Sequence, residues 1–248
     1  MGQPLSVPNS VPNGELRIVE DVPAAFAALV TESFAAAMAG PGLGVGTPFR
    51  LVLSGGSTAR ACYEVLARGP RGGAGLDWSL VECLVGDERC VPADDPDANQ
   101  RMIREVIIGG VEPAPRFWPM DCEAPLEDYD AVVSASPHLD LVHLGMGPDG
   151  HTASLFPGSA ALEAPASRLV EHNLDPSGRN PHPRVTLTLP AIARAHLVVF
   201  TVAGAEKHEA MLRALRHEDL PATRVRAERV VWLCDRGAVG GPESDAPA

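Results

Sequence analysis

Asp149 and His151 stand two residues apart in the stretch LDLVHLGMGPDGHTASLFPGS, residues 139–159. An acid and an imidazole at that spacing can share one proton, the carboxylate orienting the ring while its other nitrogen draws a proton from water. Gly145, Gly147 and Gly150 flank and separate them, which lets the backbone bring both side chains to one point. A structural reading stands beside this one, in which Asp149 or Thr152 caps a helix through TASLF. A second cluster, Asp87, Glu88 and Arg89, follows the apolar run of residues 78–85. Three charges at the end of a buried strand are costly unless paired or used; the alternative is a solvated turn with Asp97 capping a helix from Asn99. A third, Ser54, Gly55, Gly56, Ser57 and Thr58, lies between a strand over residues 49–53 and a helix through Tyr63 and Leu66. Strand, glycine pair, hydroxyls and helix make an anion site, because free N–H groups and the helix dipole point at one spot. The lysine of a nucleotide-binding loop and the third glycine of GxGxxG are both missing, so neither nucleotide fingerprint is met. The plain alternative is a tight turn capped by Ser57 or Thr58.

The chain has 248 residues and a formal net charge of −12, which argues against nucleic acid or an anionic membrane as partner. An acidic protein that binds an anion must gather its cations locally. Of its 20 lysines and arginines only Lys207 is a lysine, which marks a place where a compact point charge is wanted. The apolar runs fall short of the roughly 18 residues of a membrane span, so no transmembrane helix is expected, and no secretory signal is visible. The five cysteines are scattered, so neither a disulfide framework nor a zinc site is expected. Reduced thiols and a cytoplasmic setting fit best.

These residues need elements to hold them. Residues 1–14 are rich in Pro, Ser and Asn and are expected to be disordered. A first strand over 15–20 and an alanine-rich helix over 23–38 precede links at 40–48 and 69–75. Further strands are expected at 78–85, 139–144, 196–203 and 229–235, with an acidic helix near 126–133 and a helix opened by Gly204, Glu206, Lys207 and His208. Residues 165–184 read as loop. Val185, Leu187 and Leu189 alternate with Thr186 and Thr188, the pattern of a strand with one wet face, with Arg184 at its start. His172 and His182 read as surface residues, and residues 236–248 as a flexible tail. The pattern is α/β: a single domain over residues 15–235, with a mostly parallel, Rossmann-like sheet and helices on both faces.

In this order and at these separations, LSGGST, GDERCVPADDPDANQRM, LGMGPDGHTASLFPGS, PRVTLTLP and GAEKH resemble the 6-phosphogluconolactonases, in the wider group that includes the glucosamine-6-phosphate deaminases. The chain departs from the usual pattern at Ala98, where the family shows Ser before the Asn. The resemblance implies hydrolysis of 6-phospho-D-glucono-1,5-lactone to 6-phospho-D-gluconate in the oxidative pentose phosphate route. It implies a phosphate held on Gly55, Gly56 and Ser57, with Ser54, Thr58 and Asn99 in the binding set and Arg184 and Lys207 as charged clamps. His151 would be the general base, Asp149 its orienting partner, Asp87 a second acid, and Arg89 a counter-charge to the substrate. The scheme needs no metal and no cofactor. The partner is a small-molecule sugar phosphate, bound by a monomer or weak homo-oligomer. A deaminase or isomerase on the same fold would carry a carboxylate shortly after the DGH motif, where this chain has none until Glu163. A non-catalytic sugar-phosphate sensor would bring an output domain that the sequence does not show.

Overall fold

The fold, a computed structural model that describes residues 10–39, 47–68 and 75–240, is built on one large sheet. Its elements are β1 (Ser10–Val11), β2 (Gly14–Ile18), α1 (Val22–Ala39), β3 (Phe49–Leu53), α2 (Ser57–Ala67), β4 (Val81–Val85), β5 (Asp87–Arg89), α3 (Asn99–Ile103), β6 (Arg116–Trp118) and α4 (Leu126–Ser134). The second half adds β7 (Leu139–Leu144), β8 (Val170–Asn173), β9 (Arg184–Leu187), α5 (Leu189–Ile192), β10 (Ala195–Val202), α6 (His208–Leu215), α7 (Pro221–Arg224), β11 (Arg229–Cys234) and α8 (Arg236–Gly240). The strand order is β1-β2-β11-β10-β7-β3-β4-β6, parallel throughout except for the β1/β2 hairpin. The chain runs outward from β3 to β6, then returns to β7 on the other side of β3 and runs outward the other way. The sheet therefore reverses its winding between β3 and β7, and a crevice opens beyond their carboxyl ends.

Central strands carry near-continuous apolar residues because both faces are covered. β3 and β7 are buried along their whole length. α1 places Val22, Phe26, Leu29, Val30 and Phe34 in the core, with the Phe34 ring edge-on to Phe49. By length and composition alone α1 is also apolar enough to cross a membrane, but here its apolar side is spent on the core of the fold. The expected Rossmann-like, mostly parallel α/β sheet is the one observed.

Several local expectations are corrected. A hairpin begins at Ser10, inside the segment expected to be disordered; Asn13 ties it down by donating to the carbonyls of Ala222 and Val225 and accepting from Trp232 Nε1. Residues 236–240 form α8 rather than tail. Residues 1–9 and 241–248, and most of the links at 40–48 and 69–75, lie outside the described residues. Residues 78–80 form a 3₁₀ turn capped by Asp77, and the strand starts only at Val81. No helix runs through TASLF; Thr152 and Leu155 close a tight turn instead. Asp87–Arg89 is not a loop but a strand of a second, antiparallel sheet, β5-β9-β8, whose third strand lies in the stretch read as loop. That sheet packs away the face of β9 expected to be wet: Thr186 and Thr188 are fully buried, and their hydroxyls donate to the carbonyls of Leu187 and Arg168.

The cysteine expectation is also overturned. Cys90 and Cys122 form a disulfide across a separation of 32 residues, while Cys62, Cys83 and Cys234 are free and buried. The bridge ties the segment after β5 to the segment before α4, a contact that spacing alone cannot reveal. Closing a loop of that length stabilises a fold by about 3 to 4 kcal/mol in the chain-entropy account. Thiol titration of the denatured protein is expected to give three reactive cysteines before reduction and five after it; five before reduction would refute the bridge.

Candidate active site

A cavity of about 290 Å³ fills the crevice beyond β3 and β7. Ser54, Gly55, Gly56, Ser57 and Thr58 form one wall, Asp87, Arg89 and Asn99 a second, Gly145–Pro148 with His151 and Ala153 a third, and Glu206 with Lys207 the fourth. Of the residues expected in the site, only Arg184 and Asp149 stand outside the wall.

The Ser54–Thr58 segment is the turn that carries β3 into α2. Gly56 has φ +99 and is the N-cap of α2, where no side chain caps the first turn. The expected alternative, a turn capped by Ser57 or Thr58, is therefore not the one formed. Gly55 is required by contact: a Cβ there would lie 1.7 Å from Asn99 Oδ1. The Ser54 hydroxyl is engaged internally, donating to the His143 carbonyl at 2.7 Å.

Asp149 and His151 are joined by a hydrogen bond of 2.6 Å between Oδ1 and Nδ1, and the same carboxylate accepts the His151 backbone N–H. Burial pushes the Asp149 carboxyl up, but the hydrogen bond and charge of His151 and the backbone donors outweigh it, leaving the group below its ordinary range. An ionised Asp149 fixes the proton on Nδ1 and leaves Nε2 as the basic nitrogen. The turn itself is closed by Gly147 N–H to His151 O and Gly150 N–H to Gly147 O. A Cβ on Gly147 would sit 2.2 Å from the imidazole, and Gly150, at φ +87, lies under Leu220. Ala153, on the cavity wall, also takes a positive φ of 46, which only this tightly tied turn sustains.

Asp87 accepts the Ser154 hydroxyl at 2.7 Å, linking β5 to the histidine loop. Arg89 donates to Asn99 Oδ1 and to the Asp97 carbonyl, and Asn99 donates to the Asp87 carbonyl. Asp97 does not cap α3. The buried Glu88 does so, accepting the N–H groups of Asn99 and Gln100 as well as that of Arg89; burial raises its carboxyl, against the pull of those donors. Arg184 faces Arg89 directly in the β5/β9 ladder. It is buried, its Nε lacks a hydrogen-bond partner, and its guanidinium is driven down by burial and by Arg89. Two guanidinium groups side by side call for an anion, but Arg184 stands behind the wall rather than in it.

Sequence reasoning missed Ser154, Met146, Thr201 and Glu206. Ser154 and Met146 lie in the motif already singled out; Thr201 sits inside a strand that reads as plain core, so only its neighbours reveal it. His172 is exposed and His182 lies 3.5 Å from Asp97, both away from the cavity wall. Among the described residues, no group of three or more His, Cys, Asp and Glu is placed to hold a metal ion.

Residues 19–232 match the family model for glucosamine-6-phosphate isomerases/6-phosphogluconolactonase. The chain is 36% identical over 207 residues to a 6-phosphogluconolactonase of Synechocystis sp., covering 76% of this chain and 82% of that one. It is 33% identical over 232 residues to one of Pseudomonas putida, covering 90% and 91%. Among solved structures, a 6-phosphogluconolactonase of Thermotoga maritima superposes with a TM-score of 0.75 at 31% identity, over 89% of this chain and 98% of that one. A monomeric glucosamine-6-phosphate deaminase gives 0.74 at 20% identity, over 91% and 98%, a likeness of fold alone. With its sheet, its crevice and its glycine-bound Asp149/His151 turn in place, the chain belongs to the glucosamine-6-phosphate isomerase/6-phosphogluconolactonase family.

Proposed function

We propose that the protein hydrolyses 6-phospho-D-glucono-1,5-lactone to 6-phospho-D-gluconate, the second step of the oxidative pentose phosphate route. The observation that carries this reading is the 2.6 Å Asp149–His151 pair opposite a glycine-built anion cradle, in a chain whose relatives are named 6-phosphogluconolactonases. The phosphate rests on the N–H groups of Gly55, Gly56 and Ser57 with Lys207 as counter-charge. His151 Nε2 takes a proton from water as its oxygen attacks the lactone carbonyl, and Asp149 steadies the imidazolium. Arg89 faces the charge that develops on the carbonyl oxygen, and Arg184 adds to that positive field from behind. As the tetrahedral intermediate collapses, the ring oxygen leaves and recovers the proton from His151. Asp87 holds Ser154, and with it the histidine loop, and stands as the second acid in the cavity.

No step in this route calls on a metal, so activity is expected to survive a chelator. The substrate is the sole partner, the active unit a monomer or weak homo-oligomer, and the setting cytoplasmic. The three buried free thiols suit that setting, whereas the Cys90–Cys122 bridge runs against it, since disulfides are rare in a reducing compartment. The deaminase reading is disfavoured because Ser154, Leu155, Phe156 and Pro157 follow the DGH motif where those enzymes carry a carboxylate. The test is the decay of freshly generated lactone with spontaneous hydrolysis subtracted, in the presence of EDTA. Decay well above background is expected; background decay together with release of ammonia from glucosamine 6-phosphate would replace this reading with the deaminase.

A further inference from the structure

The parallel ladder between β3 and β7 stops at Val52 and Val142, one residue before the crevice opens. Beyond that point the backbone groups of Ser54 have lost their neighbour strand, and a buried N–H or C=O without a partner is costly. One side chain fills both vacancies. The Tyr63 hydroxyl, on α2, accepts the Ser54 N–H at 2.8 Å and lies 3.1 Å from the Ser54 carbonyl oxygen. It also lies 2.8 Å from Nδ1 of His143, whose Nε2 is 2.9 Å from the Thr201 hydroxyl on β10. Tyr63 and His143 are completely buried, the His143 ring is packed 4.1 Å from Phe26, and neither side chain is part of the cavity wall. Burial drives His143 down to about 3, so the ring is a neutral spacer over the whole working range of pH. The Ser54 hydroxyl closes the arrangement by donating to the His143 carbonyl.

We propose that Tyr63 and His143 are positioning residues for the substrate's phosphate: a buried hydroxyl–imidazole pair that fixes Ser54 and so presets the N–H groups of Gly55–Ser57. The inference rests on reading those residues as the phosphate cradle. The structure contains its own control. On the next strand the Tyr129 hydroxyl holds Val85 in the same way, accepting its N–H at 2.8 Å and donating to its carbonyl at 2.9 Å. Val85 leads to Asp87 and Arg89 rather than to the cradle. Loss of either hydroxyl orphans one backbone N–H and one carbonyl, of Ser54 or of Val85, but only Tyr63 adjoins the proposed phosphate end.

The experiment is calorimetric binding of inorganic phosphate to the wild type, Tyr63→Phe and Tyr129→Phe, with KM and kcat on the lactone measured in parallel. Tyr63→Phe is expected to weaken phosphate binding and raise KM by about tenfold while kcat stays within about twofold. Tyr129→Phe, at a comparable loss of melting temperature, is expected to leave phosphate affinity unchanged. Equal weakening in both variants, or unchanged affinity in Tyr63→Phe, overturns the proposal. Should Tyr63→Phe not fold, His143→Gln, which removes the imidazole partner of Tyr63 without touching the cavity wall, takes its place: weaker phosphate binding supports the proposal, and unchanged affinity overturns it. A wild type that binds phosphate but hydrolyses no lactone would sink the lactonase reading while leaving this one testable by binding alone.

Discussion

Replacing His151 with alanine is expected to lower kcat by about two to four orders of magnitude and to leave KM within a few-fold. The imidazole acts on the water and on the leaving ring oxygen, so its contribution is made in the transition state and not in binding. Asp149→Asn is expected to fall in the same direction. It removes the negative charge and puts an amide donor where a carboxylate oxygen held the proton on Nδ1, and a ring in the other tautomer presents no base at Nε2. The check is steady-state hydrolysis of the lactone with the spontaneous rate subtracted, alongside phosphate binding by the same variants. A His151→Ala protein that keeps more than about a tenth of wild-type kcat would remove His151 from the chemistry and turn attention to Asp87.

Replacing Lys207 with alanine should act on the other half of the reaction. Losing one charged contact to a phosphate in a partly enclosed site costs about 2 to 3 kcal/mol, or roughly 30- to 150-fold in KM, with kcat changed much less. The same substitution is expected to leave the unliganded protein equally or slightly more stable. Lys207 ends the 3₁₀ turn Ala205–Lys207 and occupies the N-cap position of α6 without a capping hydrogen bond, the end of a helix where a cation is opposed by the dipole. Binding and stability should thus move in opposite directions, by KM from kinetics and by melting temperature without ligand. A Lys207→Ala enzyme with unchanged KM and a lowered kcat would show that the phosphate lies elsewhere, with the Arg89/Arg184 pair as the next place to look.

The histidine motif was legible because its chemistry is local. Asp149 and His151 are two residues apart, and the glycines that fold them together lie in the same stretch. The glycine turn proposed to hold the phosphate was legible for the same reason, since strand, Gly55–Gly56 and helix follow one another without a break. Lys207 stood out by composition alone. The β5-β9-β8 sheet was not legible: Asp87–Arg89 is too short to read as a strand, and its partner lies about a hundred residues further on, at Arg184–Leu187. Consequently the alternation around Thr186 looked like a wet face when its hydroxyl groups are buried partners.

The sequence by itself determined the parallel α/β class, the succession of the main strands along the chain, and the residue types gathered at three strand ends, because each follows from apolar periodicity or from residues adjacent in the chain. Only the tertiary structure decided that Arg184 pairs with Arg89 across the β5/β9 ladder, that Glu88 rather than Asp97 caps α3, that Cys90 meets Cys122, and that Tyr63 and His143 hold Ser54. Each of those depends on which side chain meets which from a distant part of the chain. That choice is made by the packing of segments far apart in the chain, where the cost of an unpaired group selects one arrangement and residue spacing carries no record of it.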